Sequence, residues 1–124
     1  MEPHEGPVQV TDATFETEVI HSPLPVVVDF YADWCVPCRV TEPTLVDLAV
    51  RLAGRVKFAK VNIDDAAGVT RSYGIHTIPT YVFVQSGQEK GREVGPVNPA
   101  EFRSILRRHF AETIRASGGT PANR

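Results

Sequence analysis

The sequence predicts an α/β fold in which a central mixed five-stranded sheet is flanked by four helices. Three observations carry this expectation. Val26–Tyr31 (VVVDFY) is a continuous apolar, β-branched run rather than an alternating one, as in a strand covered on both faces. Extended and helical patterns succeed one another in the order β-α-β-α-β-α-β-β-α, which builds a sheet with helices on both sides. Ser86-Gly87-Gln88 is a tight hairpin-type connection, so the strand after it runs antiparallel to the one before.

Taken in order, residues 1–7, with Pro3, Gly6 and Pro7, read as a loose arm, and Val8–Val10 as a short strand. Thr11 and Asp12 offer N-caps to a short helix whose stripe is Phe15, Val19 and Ile20. Pro23 and Pro25 end it, and Val26–Tyr31 follows as the central strand. Ala32-Asp33-Trp34 turns the chain into a helix that opens on Cys35 and runs to about Leu52, with Leu45, Leu48, Ala49 and Leu52 inward. Pro43 falls inside that helix and is expected to kink it, and Gly54 is a plausible C-terminal cap. Val56–Ile63 is a second buried strand and Ala66–Tyr73 a short helix. Tyr81–Gln85 and Glu89–Val94 form the hairpin. Asn98-Pro99 leads into a last helix with Phe102, Ile105, Leu106 and Phe110 inward, and Ser117–Arg124 lacks periodicity and reads as a disordered tail. The expected boundaries are an arm at 1–7, one domain at 8–115 and a tail at 116–124.

Composition bounds the function. At 124 residues, one domain with one sizeable core is expected and two full domains are excluded. A formal net charge of −2 and a sequence pI near 6.1 argue against nucleic-acid binding. No apolar run approaches the length of a membrane span, and the N-terminus has neither a basic nor an apolar signal region. The expectation is a soluble, cytoplasmic monomer.

The chemistry lies in Trp34-Cys35-Val36-Pro37-Cys38. Cys35 and Cys38 are the only cysteines. A zinc site would need two more ligands, and His4, His21, His76 and His109 are scattered, so no metal is expected. Cys35 follows a strand at the first turn of a helix, where unpaired N–H groups and the dipole favour a thiolate. Pro37 sits where its missing N–H costs nothing. Cys38, three residues on, shares the helical face and can close a small disulfide with Cys35. A redox-active pair is the leading reading, against a coincidental pair of buried thiols.

The run VVVDFYADWCVPCR (Val26–Arg39), Glu42-Pro43, Val61–Asp64, Tyr73–Ile75, Ile78–Thr80 and Val94-Gly95 together resemble the thioredoxin family over roughly Val8 to Phe110. Tyr31–Val36 is also similar to a periplasmic thioredoxin-like domain of a transmembrane electron carrier, but Pro37 and Glu42-Pro43 match ordinary thioredoxins better. The resemblance implies a thioredoxin fold and reduction of protein disulfides by thiol–disulfide exchange. Cys35 would be the nucleophile and Cys38 the resolving thiol. It implies no bound cofactor and recharging by a flavin- and NADPH-dependent thioredoxin reductase. Val36 stands where thioredoxins usually have glycine, Tyr31 where many have tryptophan, and Thr77 and Pro96 where glycine and alanine are frequent. Trp34, Val36, Pro37, Thr77, Ile78, Pro79, Gly95 and Pro96 are the expected substrate groove.

Asp29 is an anomaly in an apolar strand. Desolvation should raise its pKa, and Lys60, in phase with Val56 and Phe58, is its expected ion-pair partner. An ordinary buried ion pair is the alternative, whereas the resemblance implies proton transfer at Cys38. Ile78-Pro79 precedes a strand that must pair centrally. General statistics favour a trans peptide there, and the resemblance implies a cis one beside the disulfide. His76 is expected to modulate partner electrostatics, His109 to be structural, and Arg107-Arg108 to be a solvated helix face. Two rival functions remain: a binding or chaperone module with vestigial redox activity, and a disulfide oxidase or isomerase.

Overall fold

The computed structural model describes residues 6–117, with side chains described as far as residue 110. Five strands, β1 (Val8–Val10), β2 (Val26–Tyr31), β3 (Lys57–Asn62), β4 (Thr80–Gln85) and β5 (Gln88–Val94), form one sheet in the order β1-β3-β2-β4-β5. β1 and β2 run parallel to β3, whereas β4 is antiparallel to β2 and β5 to β4. Ser86 and Gly87, at φ 53° and 78°, make the two-residue turn between β4 and β5, as a primed hairpin turn requires.

Three α-helices and one π-helical turn flank the sheet: the turn at Glu16–Ile20, α1 (Val36–Arg51), α2 (Ala67–Ser72) and α3 (Pro99–Ser117). Alternation along β2 divides the core. Val26, Val28 and Phe30 pack with Val19 of the turn and Val69 of α2, while Val27 packs with Leu45 and Leu48 of α1 and Phe102 and Leu106 of α3. Asp29 shares the parity of Val27, so the chain places its buried carboxyl on the α1/α3 side.

Several local expectations change. The helix after Val10 is only the π-helical turn, and its start has no side-chain cap. Asp12 instead reaches across 56 residues and accepts hydrogen bonds from the Gly68 and Val69 amides at 3.0 and 2.8 Å, capping the start of α2. α1 passes through Pro43 without ending and closes at Leu52, its C-cap, rather than Gly54. α3 begins with a reciprocal capping box between Asn98 and Glu101 (2.8 and 3.2 Å), then breaks at Phe110, where φ is −124° and ψ 36°. Most of the expected tail, residues 118–124, lies outside the described residues, as does most of the N-terminal arm, residues 1–5.

Candidate active site

β2, the central strand, ends at Tyr31, and α1 starts five residues later. Cys35 is the N-cap of α1, in extended conformation (φ −87°, ψ 108°), and its sulfur accepts the Cys38 amide N–H at 3.2 Å. A sulfur atom thus occupies the capping position usually filled by a serine or aspartate oxygen, at the positive end of the helix. Pro37 falls in the first turn, where it removes no intrahelical bond. The two cysteines are joined as a disulfide, with Cα atoms 5.3 Å apart. Both are buried to a similar degree, 5% and 6% exposed, so burial alone does not rank them as outer and inner.

Around the sulfurs, Ala32, Tyr31, Ile63 and Ile78 form a small apolar cluster. Ile78-Pro79 is a cis peptide. Gly95, at φ 97°, donates its N–H to the Pro79 carbonyl at 2.8 Å, which ties the β5–α3 loop to the loop before β4. Of the sequence-expected groove residues, Ile78 packs against the catalytic pair Cys35 and Cys38, and Pro79 is bonded to Gly95. Trp34 and Val36 stand out into solvent at 65% and 63% exposure. Pro37, Thr77 and Pro96 are exposed, and Thr77 accepts a short hydrogen bond from the Thr80 hydroxyl. Trp34 is held from behind: its indole Nε1–H donates to Asp64 Oδ2 at 2.9 Å, and the Asp64 amide donates to Asn62 Oδ1 at 2.9 Å. Asp64 and Asn62 stood in the motif Val61–Asp64, but nothing in their spacing assigns them to Trp34, thirty residues away.

Behind the disulfide, a cavity of about 460 Å³ is lined by Asp29, Cys38, Glu42 and Lys60, among others. Asp29 is 6% exposed and its Oδ1 has no hydrogen-bond partner. Its carboxyl is pushed up to about 7, chiefly by burial, with Lys60 opposing and Glu42 adding to the rise. The expected Asp29–Lys60 ion pair is corrected here. Lys60 is the register neighbour of Asp29 on β3, but its Nζ bonds Glu42 Oε2 at 2.7 Å and lies 4.3 Å from the centre of the Tyr31 ring. The physical reason is solvation: the Glu42 side chain is 45% exposed, so pairing there leaves the charges partly hydrated, and a protonated Asp29 needs no counter-ion.

A polar pair that periodicity did not single out completes the site. Tyr81 faces Asp29 across the β2–β4 pair and is fully buried. Its hydroxyl lies 3.0 Å from Thr41 Oγ1, which also donates to the Cys38 carbonyl at 3.1 Å. Burial pushes the Tyr81 phenol up to about 12, against the Thr41 hydrogen bond and with the Asp29 charge adding. Tyr81 reads in sequence as one more β-former, and only cross-strand register exposes its polar end.

The model of the thioredoxin family matches residues 6–108. The chain belongs to the thioredoxin family. It is 42% identical to thioredoxin 1 of Nostoc sp. over 102 residues, 82% of this chain and 95% of that protein. It is 34% identical to thioredoxin of Haemophilus influenzae over 83% of this chain and 96% of that one. With thioredoxin of Rickettsia bellii the identity is 44%, over 69% and 82% respectively. Thioredoxins are disulfide oxidoreductases, and this chain is one: it reduces protein disulfides by dithiol–disulfide exchange through Cys35 and Cys38. Among the described residues no helix is long and apolar enough to cross a membrane.

Proposed function

We propose that Cys35 is the attacking thiol, Cys38 the resolving thiol and Asp29 the group that handles the resolving proton. The observation that supports this order is the sulfur cap: Cys35 Sγ already accepts an N–H at the start of α1, where a thiolate is best accommodated. In the first step the Cys35 thiolate attacks a substrate disulfide. One Cys35–substrate S–S bond forms, and the departing substrate thiolate takes a proton from solvent. In the second, Cys38 gives its proton to ionised Asp29 across their shared cavity and attacks Cys35, which expels the second substrate thiolate. Two electrons pass from the cysteine pair to the substrate.

In the same reading, the extended substrate segment lies over Trp34, Val36 and Pro37 and against the Thr77-Ile78-Pro79 and Gly95-Pro96 loops. Lys60 acts through Glu42 and the cavity field and not as a direct ligand of Asp29. A flavin- and NADPH-dependent thioredoxin reductase returns the electrons, and the working domain is residues 8–115 of a cytoplasmic monomer serving electron transport and redox homeostasis. The test is trapping. Cys38→Ser should accumulate mixed disulfides with substrate proteins, and Cys35→Ser should neither reduce nor trap. Recovery of trapped substrate on the Cys35→Ser variant would reverse the assignment.

A further inference from the structure

A second recess lies at the far end of α1, about 24 Å along a helix of sixteen residues from the cysteine end. It encloses about 180 Å³ between α1 and α3, and its apolar lining is Leu48, Leu52 and Leu106. Arg51, Arg55, Arg103 and Arg107 stand around those leucines. Four of the chain's ten arginines therefore meet here, in a protein whose net charge is −2.

The charges are poorly answered from within. Arg103 and Arg107 are exposed one turn apart on α3, a spacing at which like charges repel, and neither has an ion-pair partner among the described residues. Among the described residues the Arg55 guanidinium donates only to the Arg51 carbonyl, at 3.0 Å, and of the four only Arg51 is met by a carboxylate, Asp47 at 2.7 Å. Of the other described arginines, Arg92 is paired with Glu89 and Arg108 with Glu93, while Arg39 and Arg71 stand singly on other faces with no ion pair among the described residues. Arg107, expected from the sequence to be a solvated face, is thus part of a clustered and largely unneutralised rim.

We propose that this recess docks an acidic segment of a partner protein, with an aliphatic side chain on Leu48, Leu52 and Leu106 and flanking carboxylates on Arg55, Arg103 and Arg107. Guanidinium forks match carboxylates in bidentate geometry. The lining offers an aliphatic pocket and no aromatic ring on which a base could stack, which favours a peptide carrying an aliphatic side chain over a nucleic acid. Docking here leaves the disulfide mouth free.

The probe is a short fluorescein-labelled peptide of glutamates around a central leucine pair, titrated into the full chain by anisotropy and by amide chemical shifts. Binding should be saturable, with shifts confined to residues 48–55 and 103–107. The double variant Arg103→Glu/Arg107→Glu should weaken it by about tenfold or more, a loss of about 1.4 kcal/mol, with insulin reduction unchanged. Replacing the peptide's leucines by serine should weaken it similarly, and Arg71→Glu, on α2 across the sheet, should not. The proposal fails if Arg71→Glu weakens binding as much as the double variant, or if serine peptides bind equally well. It also fails if the double variant keeps the peptide but loses phosphatidylglycerol vesicles or an RNA oligonucleotide.

Discussion

Among the described residues, two buried side-chain atoms have no hydrogen-bond partner, Asp29 Oδ1 and His109 Nε2, and they sit on the same side of the sheet. Their surroundings differ in one respect that decides their use. Asp29 borders a cavity that also reaches Cys38, so water and a reactive sulfur both have access to its proton. His109 packs on Phe83 with ring centres 4.7 Å apart and planes tilted by 30°, and against Gly91, with the acid Glu93 at 3.7 Å and already bonded to Arg108. An unsatisfied polar atom is costly in either place. It becomes chemistry only where a proton can arrive and leave.

The comparison breaks most directly at Asp29. Its carboxyl, raised from 3.8 to about 7, keeps in the folded state a proton that the unfolded chain has lost between those values. Stability from this group is therefore fully present below about pH 4 and declines as pH rises towards 7. Asp29→Asn should remove that decline, with a gain of at most about 4 kcal/mol above pH 7. The same variant should slow resolution of the mixed disulfide by about tenfold and erase the inflection near pH 7. Urea melts across pH and single-turnover kinetics measure the two effects, and an unchanged pH–rate profile would remove Asp29 from the mechanism. His109→Gln should leave that profile untouched.

At the other pole, Gly91→Ala would place a Cβ directly against the His109 imidazole. We expect a loss of about 1–3 kcal/mol, largely relieved when His109→Ala is added, with catalysis retained throughout. Chemical denaturation of the single and double variants checks the coupling. Tyr81→Phe leaves the Thr41 hydroxyl its carbonyl partners and should cost only about 1 kcal/mol. The smallest effect belongs to Glu42→Gln. It removes a negative charge that raises the Asp29 carboxyl and frees Lys60 to turn towards it, so the inflection should move to lower pH by no more than about one unit. Movement to higher pH would mean that Lys60, once released by Glu42, swings away from Asp29 and not towards it.

How far the sequence reaches depends on the range of each contact. Val26–Tyr31 announced its place because a strand buried on both faces needs apolar residues at successive positions, and the Ser86-Gly87 turn because few residues tolerate positive φ in pairs. The cysteine spacing fixed a local geometry that any helix start would realise, and Asp29 was conspicuous as a lone charge in that strand. Partner choice was not legible. Lys60 had one carboxylate beside it in register and another eighteen residues back on α1, and it bonds the second because water still reaches that pair. Asp12 looked like a cap for its own helix and serves another, 56 residues on, packed on the same face of the sheet. Gly91 gave no sign that it makes room for His109, nor Arg51 and Arg55 that they share a recess with Arg103 and Arg107. Backbone pattern is set by neighbours a few residues away and can be read along the chain. Which flexible side chain meets which charge depends on solvent access, and that exists only once the sheet and its helices have closed around one another.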